Sequence, residues 1–273
     1  MSYNTNTDTI RTIQRKSLLY CTQVEYGDYC INHVEGCSHG CLYPCYAMML
    51  KRRTGAISSY EDWCKPKLVS NALELLDREI ARLKSKIRYV HLCFSTDPFM
   101  YGHDEVMELS LTIIKKLNSH TIPCTTLTKG VYPVDSIDDT CSMSNRYGIT
   151  IVSLDESFRK DYEPFTARFK ERLEALRSLH EKKLKTWVSI EPYPTPNIIK
   201  QDLIKILDAV SFVDEIIFGR LNYSAKVRAF SHPAEFYNSQ ARALIHFCKK
   251  RGIGYHIKEG TLVMKDAVQS ATD

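Results

Sequence analysis

The chain has 273 residues, of which 44% are hydrophobic and 25% are charged, and its formal net charge is +5. This composition excludes collagen-like, low-complexity and mainly disordered proteins, and the length lies within the range that one α/β barrel fills. The mild excess of Lys and Arg permits an anionic or nucleic-acid partner without requiring one.

Ten cysteines are the most informative part of the composition. The first sixteen residues lack the apolar core of a signal peptide, so we expect a cytoplasmic chain with reduced thiols. Charged residues interrupt every apolar run, so no membrane span is predicted. The cysteines therefore have to be explained as buried thiols, redox groups or metal ligands.

Short β-branched runs alternate along the chain with longer segments of helical period, which is typical of repeated β-α units with parallel strands. The predicted strands are 30–34, 88–95, 122–128, 149–154, 186–190, 215–219 and 254–257. The predicted helices are 70–86, 104–117, 170–181, 198–210 and 233–251, the last ended by Gly252. Six or seven such repeats predict an α/β fold, a partial or near-complete TIM-type (β/α)6–7 barrel with parallel strands.

One domain is predicted over residues 18–262, because no internal repeat or Pro/Ser-rich linker divides the chain there. Residues 1–17 are expected to form a loose N-terminal extension and residues 263–273 a C-terminal tail. The glycine-rich phosphate loops GxGxxG and GxxxxGK[ST] are absent, which argues against nucleotide binding of those two kinds.

Polar residues follow every predicted strand, at the end of the barrel where the chemistry of such folds takes place. They are Gly36-Cys37, Ser95-Thr96-Asp97, Thr128-Lys129, Ser153-Leu154-Asp155, Glu191, Asn222 and Lys258-Glu259. Each group alone can also be explained by helix capping, because Ser, Thr and Asp are preferred at the start of a helix. Seven groups at one end of a barrel predict a functional site there.

Three cysteines stand four residues apart in the segment GCSHGCLYPCYA, residues 36–47. A helix that begins near Cys41 would place Cys41 and Cys45 on one face, with Cys37 folding back towards them. Three thiolates suit a [4Fe–4S] cluster with one iron left open for a substrate or cofactor. A structural zinc site with four ligands is the alternative. The candidates for its fourth ligand are His33, His39 and Cys30.

The same segment resembles the cluster loop of the radical S-adenosylmethionine (SAM) superfamily, in particular of its spore photoproduct lyase-like branch. The sequence motif of that branch is close to GCSHGC-x-YCYA. One residue, Pro44, is additional here, so the chain has CxxxCxxxC where the family has CxxxCxxC. Proline is tolerated in the first turn of a helix, and we expect Pro44 to widen that turn.

The resemblance extends over roughly residues 26–260 and includes further segments in the order of the family. They are Phe94-Ser95-Thr96-Asp97-Pro98, Thr126-Leu127-Thr128-Lys129, Ser153-Leu154-Asp155, Glu163-Pro164, Arg172-Leu173-Glu174-Ala175-Leu176 and Phe218-Gly219-Arg220-Leu221-Asn222-Tyr223. Arg172 lies in an amphipathic predicted helix, and we expect its side chain in solvent.

The resemblance implies an enzyme that binds a [4Fe–4S] cluster and SAM and takes its electron from an external donor of the flavodoxin or ferredoxin type. Cys37, Cys41 and Cys45 would hold the cluster, and reductive cleavage of SAM would give a 5′-deoxyadenosyl radical that abstracts hydrogen from the substrate. The residues implied for SAM are Tyr46 at the adenine, Thr96 and Asp97 at the ammonium group or ribose, Lys129 at the carboxylate, Ser153 at the ribose, and Glu191 at SAM or substrate.

Photoproduct lyases keep a hydrogen-donor cysteine just before the Ser-Asp of the second strand, and Phe94 stands at the matching place here. Strand alternation puts its neighbour Cys93 on the same side as Ser95 and Asp97, so Cys93 is the candidate donor. A packed core thiol is the alternative for this residue. Repair of thymine dimers is not predicted.

Tyrosines near the strand ends make a nucleic-acid base or nucleoside a reasonable substrate, because aromatic rings stack on bases. These residues are Tyr193, Tyr223 and Tyr255.

Two other classes of function stay open at this point. The first is a zinc-stabilised nucleic-acid-binding module without catalysis, in which the runs 51–53 and 249–251 supply basic contacts. The second is a metal-free barrel enzyme in which Asp97, Lys129 and Glu191 carry out acid–base chemistry.

Overall fold

The computed structural model describes residues 10–24, 26–137 and 142–263. The chain falls into two compact units. The first unit comprises the chain up to Gly40 together with Cys45–Asn145, and the second comprises Cys41–Pro44 together with the chain from Arg146 onwards. Outside the described residues lie the first nine residues of the predicted extension, Cys141, and the predicted tail from residue 264 onwards. The single domain over residues 18–262 stays a prediction.

The first unit contains seven strands and four helices among its described residues. The strands are β1 (Arg11–Ile13), β2 (Leu19–Cys21), β3 (Tyr29–Ile31), β4 (Val34–Glu35), β5 (Lys67–Val69), β6 (Val90–Leu92) and β7 (Cys124–Thr128). The helices are α1 (Tyr46–Arg53), α2 (Tyr60–Trp63), α3 (Ala72–Leu83) and α4 (Asp104–Ser119), with a 3-10 turn at Lys84–Lys86. Strand β3 pairs in parallel with β6, and β6 with β7, while β2 runs antiparallel to β3. A second group of strands has the order β1-β5-β4.

The second unit repeats a β-α pattern. Its strands are β8 (Arg146–Thr150), β9 (Lys185–Tyr193), β10 (Glu215–Arg220) and β11 (Gly254–Ile257), paired in that order and all parallel. Its helices are α5 (Glu156–Tyr162), α6 (Phe169–Glu181), α7 (Leu203–Ala209), α8 (Ala225–Arg228) and α9 (Pro233–Arg251). The predicted α/β class with parallel strands is confirmed.

Local sequence signals account for the long helices. Helix α9 begins with proline at Pro233 and ends at Gly252, whose φ of 67° is the left-handed conformation that glycine adopts without strain. Helix α4 buries Val106, Ile113 and Leu117, which recur at helical spacing. Within the described ranges, no helix combines the length and the apolar character needed to cross a membrane.

The strand predicted over residues 88–95 is shorter than expected, because β6 ends at Leu92. Cys93 has a φ of 58°, in the left-handed region, and the Thr96 N–H donates to the Cys93 carbonyl over 3.2 Å. Residues 93–96 therefore form a turn, and strand alternation cannot be carried from Cys93 to Asp97. The expectation that strand alternation puts Cys93 on the same side as Ser95 and Asp97 was therefore wrong.

Two further boundaries also differ from the prediction. Residues 11–13, expected to be loose, form strand β1 and pair with β5, and the Leu19 N–H just beyond them donates to the buried Glu79 carboxylate over 2.7 Å. The helix predicted over residues 198–210 begins only at Leu203, because the Asp202 side chain accepts the Ile204 N–H over 2.9 Å and so caps the helix there.

Candidate active site

The first cysteine of the loop is held by a tight backbone turn in the first unit. Gly36 has a φ of 84°, and a Cβ at this position would lie 2.8 Å from the Trp63 carbonyl oxygen, so only glycine fits. The Cys37 N–H donates to that same carbonyl oxygen over 2.9 Å. The Thr96 hydroxyl donates to the Gly36 carbonyl oxygen. The structure therefore gives Thr96, a predicted SAM residue, a contact that fixes the backbone just before Cys37.

The helix after the loop starts later than predicted, and the expectation that Cys41 and Cys45 share a helix face was wrong. Helix α1 begins at Tyr46, and Cys45 is the extended residue before it, with φ −85° and ψ 115°. Pro44 stands one residue before Cys45, outside the helix, so the expectation that it widens the first turn of the helix was wrong. The Cys45 carbonyl oxygen accepts the Met49 N–H over 3.0 Å, so Cys45 lies where the helix starts.

The three loop cysteines differ from most of the others in exposure. The nine cysteines that the structure describes are reduced, and none forms a disulfide. Cys37, Cys41 and Cys45 are partly exposed, whereas Cys30, Cys93, Cys124 and Cys248 are buried. Three partly accessible thiols on one loop fit the donor set of a [4Fe–4S] cluster, which takes thiolate ligands. Among the described residues, no three His, Cys, Asp or Glu side chains are already gathered around a common metal position.

His39, in the loop, is held at both ring nitrogens within the first unit. Its Nε2 accepts the Tyr101 N–H over 2.9 Å, so the ring proton lies on Nδ1, which faces the Asp97 Oδ2 at 3.3 Å. The side chain is 2% exposed. His39 therefore has no nitrogen left for a metal, and it loses its place as fourth ligand of a zinc site.

The Asp97 carboxylate is buried and accepts hydrogen bonds at both oxygens. Oδ1 accepts from the Phe99 N–H at 2.9 Å and from the Thr128 hydroxyl at 2.6 Å, and Oδ2 accepts from the Lys129 N–H at 2.8 Å in addition to His39. Burial acts to raise the pKa of Asp97, but His39 and these hydrogen bonds outweigh it and hold the pKa below its usual value. This arrangement joins the cysteine loop to the end of β7 and favours a positioning role for Asp97 over direct binding of SAM.

The candidate hydrogen donor Cys93 lies in the core of the first unit, 3% exposed, with its Sγ 3.5 Å from the His33 Nδ1. The Ser110 hydroxyl donates to the Pro98 carbonyl oxygen over 2.5 Å and therefore accepts the proton of His33 Nε2, 2.7 Å away. His33 Nδ1 is then an acceptor and takes the Cys93 S–H. Burial raises the pKa of Cys93 well above its usual value and lowers that of His33 to about 3. His33 is thus a neutral core residue, and Cys93 lies beside it in the core.

Cys30, the third candidate for a zinc ligand, is buried in β3, and burial raises the pKa of its thiol. A thiol held in its protonated form is a poor metal ligand, because the thiolate is the ligating species. None of the three candidates for a fourth ligand is therefore suited to zinc.

In the second unit, the segment Cys41–Pro44 carries a buried tyrosine that sequence reasoning did not single out. The Tyr43 hydroxyl donates to the Glu163 carboxylate. Burial, followed by the charges of Cys41 and Glu163, raises the pKa of Tyr43 well above its usual value, so the hydroxyl keeps its proton. The sequence signals were that Tyr43 stands in the loop segment and that Glu163 stands in a further segment, both of which resemble the family.

Arg172 was expected in solvent, and this prediction was wrong. Its side chain is fully buried, and its Nη2 lies 2.9 Å from the Glu163 Oε2, which is also fully buried. The other guanidinium nitrogens donate to the carbonyl oxygens of Ala167 and Thr150, each over 3.0 Å. The amphipathic pattern of α6 predicts that Arg172 lies on the polar face of the helix. The residue is buried instead, because the Glu163 carboxylate in the interior neutralises its charge.

Two more predicted SAM residues belong to the second unit. Ser153 is buried after β8, and its hydroxyl oxygen accepts the Asp155 N–H over 3.1 Å, so it shapes the turn before α5. Glu191, on β9, is partly exposed, and its Oε2 lies 3.4 Å from the Lys258 Nζ. A Cβ at Gly219 would lie 2.7 Å from the Glu191 carboxyl carbon, so glycine leaves room for this carboxylate.

The four tyrosines predicted to contact SAM or the substrate differ in how exposed they are. Tyr46 is 54% exposed and Tyr223 is 63% exposed, so both rings are accessible. Tyr255 is 36% exposed. Tyr193 is buried in the core, where its ring lies 5.3 Å from that of Phe218, and the expectation that it stacks on a substrate base was wrong.

Comparison with known proteins gives one family and several related chains. A profile of the family described as Radical SAM superfamily matches residues 31–210. The uncharacterised protein MJ0683 of Methanocaldococcus jannaschii is 26% identical over 224 residues, which are 82% of this chain and 81% of that protein.

Solved structures with the same fold include a spore photoproduct lyase variant with bound AdoMet and dinucleoside spore photoproduct. It has a TM-score of 0.67 at 12% identity, over 90% of this chain and 80% of that chain. SuiB of Streptococcus suis has a TM-score of 0.51 at 11% identity, over 68% of this chain and 42% of that chain. The predicted fold class, a partial TIM-type barrel, is confirmed by these likenesses.

Proposed function

Because the chain belongs to the radical SAM superfamily, we propose that Cys37, Cys41 and Cys45 hold its [4Fe–4S] cluster. Family membership, predicted from the cysteine motif, makes the chain a radical SAM enzyme whose cofactors are a [4Fe–4S] cluster and SAM. When bound, these cofactors supply the reductive cleavage of SAM to methionine and a 5′-deoxyadenosyl radical that abstracts hydrogen from the substrate. The observation that carries the assignment of ligands is the set of three reduced, partly exposed thiols on one loop.

We assign each side chain a role in SAM binding according to its exposure. The exposed ring of Tyr46, directly after Cys45, is accessible to the adenine. Lys129 donates its backbone N–H to Asp97, and its side chain, on a partly exposed residue, carries an ammonium group that is suited to the SAM carboxylate as a point charge. Thr96 and Asp97 act on SAM by holding the loop and the end of β7 in place.

The residues proposed from the second unit have different roles. Glu191 is partly exposed and carries a carboxylate that can accept hydrogen bonds from SAM or the substrate. Ser153 is buried, and we propose that its hydroxyl sets the turn in which the ribose is bound.

The proposed substrate is a nucleic-acid base or nucleoside. The accessible rings of Tyr223 and Tyr255 are suited to stacking on a base, and the net charge of +5 suits a phosphate-bearing partner. The dinucleoside bound by the spore photoproduct lyase variant supports this class of ligand. An external electron donor of the flavodoxin or ferredoxin type would supply the electron. A reducing compartment such as the cytoplasm suits the nine cysteines that the structure describes, all of which are reduced.

Anaerobic purification and reconstitution test the proposal. We expect brown protein with iron and sulfide in equal amounts, and release of 5′-deoxyadenosine from SAM under reduction. Cys37→Ala, Cys41→Ala and Cys45→Ala should each lose the cluster, whereas Cys21→Ala, which changes an exposed cysteine outside the loop, should retain it. Colourless, iron-free wild-type protein after reconstitution would contradict the proposal.

A further inference from the structure

Helix α1 follows Cys45 directly, and its last turn is basic. The helix ends in Lys51, Arg52 and Arg53, and it contains no acidic residue and no fully buried side chain. Arg52 and Arg53 are exposed. Within the part of the chain that the structure describes, neither of these two side chains forms an ion pair or a hydrogen bond. Their charges are therefore available to a partner.

The carboxylate next to this helix does not neutralise it. The Lys51 Nζ lies 2.6 Å from the Glu35 Oε2, but Glu35 is also 3.3 Å from Arg15 and 3.9 Å from Lys67. One carboxylate thus serves three cations. Residues 45–67 include five Lys and Arg residues and only two acidic ones. The excess of positive charge attracts an acidic partner to this part of the first unit.

The segment that follows α1 is held against the cysteine loop. The Cys37 N–H donates to the Trp63 carbonyl oxygen over 2.9 Å. The Tyr60 hydroxyl donates to the Gly40 carbonyl oxygen over 2.7 Å. The basic region therefore borders the loop through these contacts as well as through the chain itself.

The basic end of α1 is also close to Cys45 along the helix. Arg53 comes eight residues after Cys45, which is about 12 Å along the axis at about 1.5 Å per residue. Leu50 is 43% exposed and stands three residues before Arg53, so the two side chains are neighbours on the helix surface. We call Leu50, Arg52 and Arg53 the α1 surface. An apolar side chain beside arginines is typical of protein–protein interfaces.

We propose that the α1 surface is the docking site of an acidic electron-donor protein, which delivers one electron to the cluster. This inference rests on the proposed function, in which the loop cysteines hold the cluster. The donor is oxidised by one electron and the cluster is reduced by one electron, so no further reactant is required. Electron transfer becomes slower as the distance between two redox groups grows, so a donor has to dock beside the loop.

A nucleic acid is the other anionic partner that exposed arginines attract. Phosphate groups are bound mainly by charged and polar side chains and by backbone N–H groups. The exposed Leu50 supplies no such contact, and binding of a nucleic acid does not require a place beside the cysteine loop. Both observations favour a protein as the occupant.

The double variant Arg52→Glu/Arg53→Glu is the primary test, because it reverses two charges that have no partner to lose. Reconstituted wild type and variant are reduced either by a bacterial flavodoxin of negative net charge or by dithionite, and release of 5′-deoxyadenosine is followed. With flavodoxin, we expect the rate at low salt to fall about tenfold or more. With dithionite, a small reductant that needs no docking surface, the rate should not change.

Binding of oxidised flavodoxin to the immobilised protein gives a second measurement that requires no catalysis. Its affinity should fall in Arg52→Glu/Arg53→Glu. Leu50→Ser should also weaken binding, although it leaves the net charge unchanged. In the wild type, binding should weaken as the ionic strength rises, because salt screens the attraction between exposed charges.

Lys84→Glu/Lys86→Glu is the matched control, because it makes the same change in net charge on two exposed lysines of the first unit. These lysines precede β6, whereas Thr96, which contacts the cysteine loop, follows that strand. They therefore lie at the opposite end of β6 from the loop. The control should keep the wild-type rate and affinity with flavodoxin.

The results that overturn this inference differ from those that overturn the proposed function. Equal losses in the two double variants, or an Arg52→Glu/Arg53→Glu protein that binds flavodoxin like the wild type, overturn the inference. So does a variant that is reduced normally by flavodoxin but no longer binds a labelled single-stranded oligonucleotide, because the surface then belongs to a nucleic acid.

Wild-type protein that takes up no cluster overturns the proposed function, and the binding measurement still tests the docking surface in that case. If Arg52→Glu/Arg53→Glu does not fold, Leu50→Ser and the salt dependence of the wild type decide. Unchanged binding in Leu50→Ser, together with wild-type binding that does not depend on ionic strength, overturns the inference.

Discussion

Arg172 and Glu163 form an ion pair with 2.9 Å between Nη2 and Oε2, and neither side chain is accessible to solvent. Removing one member leaves an uncompensated charge in the interior. We expect Arg172→Ala to lower the free energy of unfolding by about 3–5 kcal/mol. Denaturant unfolding measures this change. Lys170→Ala, which removes an exposed pair with Glu174 on the same helix, should have little effect, and equal losses for the two variants would contradict the argument.

Asp97 is expected to act through the loop and not through contact with SAM. Asp97→Asn puts an amide group where the carboxylate now accepts from Lys129, His39, Phe99 and Thr128, so at least one buried donor loses its acceptor. We expect a loss of about 1–3 kcal/mol in the free energy of unfolding, together with reduced iron uptake. Equilibrium unfolding and iron analysis measure the two effects.

Thr128→Val serves as the comparison for Asp97→Asn, because it removes the bond from Thr128 to Asp97 and leaves the carboxylate charged. It also takes the acceptor from the Gly130 N–H, which lies 2.7 Å from the Thr128 hydroxyl oxygen, so a loss of stability of about 1–3 kcal/mol is expected for it as well. An Asp97→Asn protein with unchanged stability and iron content, but with weakened SAM binding, would instead identify Asp97 as a direct SAM ligand.

His33 makes the stability of the protein depend on pH. Burial, aided by the charge of Arg15, lowers its pKa to about 3, whereas in the unfolded chain the pKa is about 6.5. Between these values the unfolded state binds a proton that the folded state does not, so stability falls as the pH falls from 6.5 towards 3. The slope is about 1.4 kcal/mol for each pH unit.

Urea unfolding at intervals between pH 7 and pH 4 measures the contribution of His33. His33→Gln cannot titrate, so its stability should depend less steeply on pH than that of the wild type. The groups that face His33 are Ser110 and Cys93, and Cys93 keeps its proton over this range because burial raises its pKa. His232→Gln, an exposed histidine, should keep the wild-type slope, and an equal change in both variants would refute the assignment.

Cys93 remains a candidate hydrogen donor, and its surroundings predict how a variant behaves. Cys93→Ala removes a buried sulfur and the S–H that His33 accepts, so we expect a loss of stability of about 1–3 kcal/mol. Release of 5′-deoxyadenosine should persist, because the proposed cluster ligands are intact. Cys248→Ala, another buried cysteine, is the control for the loss of packing, and loss of SAM cleavage in Cys93→Ala alone would place Cys93 closer to the cofactors than its burial indicates.

The parts of the fold that could be predicted are those with strong local signals. Helix α9 was predicted with its observed bounds, because Pro233 and Gly252 mark its two ends. Strand β11 also has its predicted bounds. The end of β6 was missed because the backbone turns at Cys93, and no side-chain pattern reports a left-handed φ at a cysteine.

The sequence by itself determined the family and the chemistry, since three cysteines at fixed spacing and the segments that follow them are contiguous signals. Only the tertiary structure decided how the loop is supported. Glu163 and Tyr43 are 120 residues apart, and the contact between them, like that of Asp97 with His39, appears in no local pattern. The same holds for Arg172, because amphipathic spacing describes a helix face but not the buried carboxylate that the face meets.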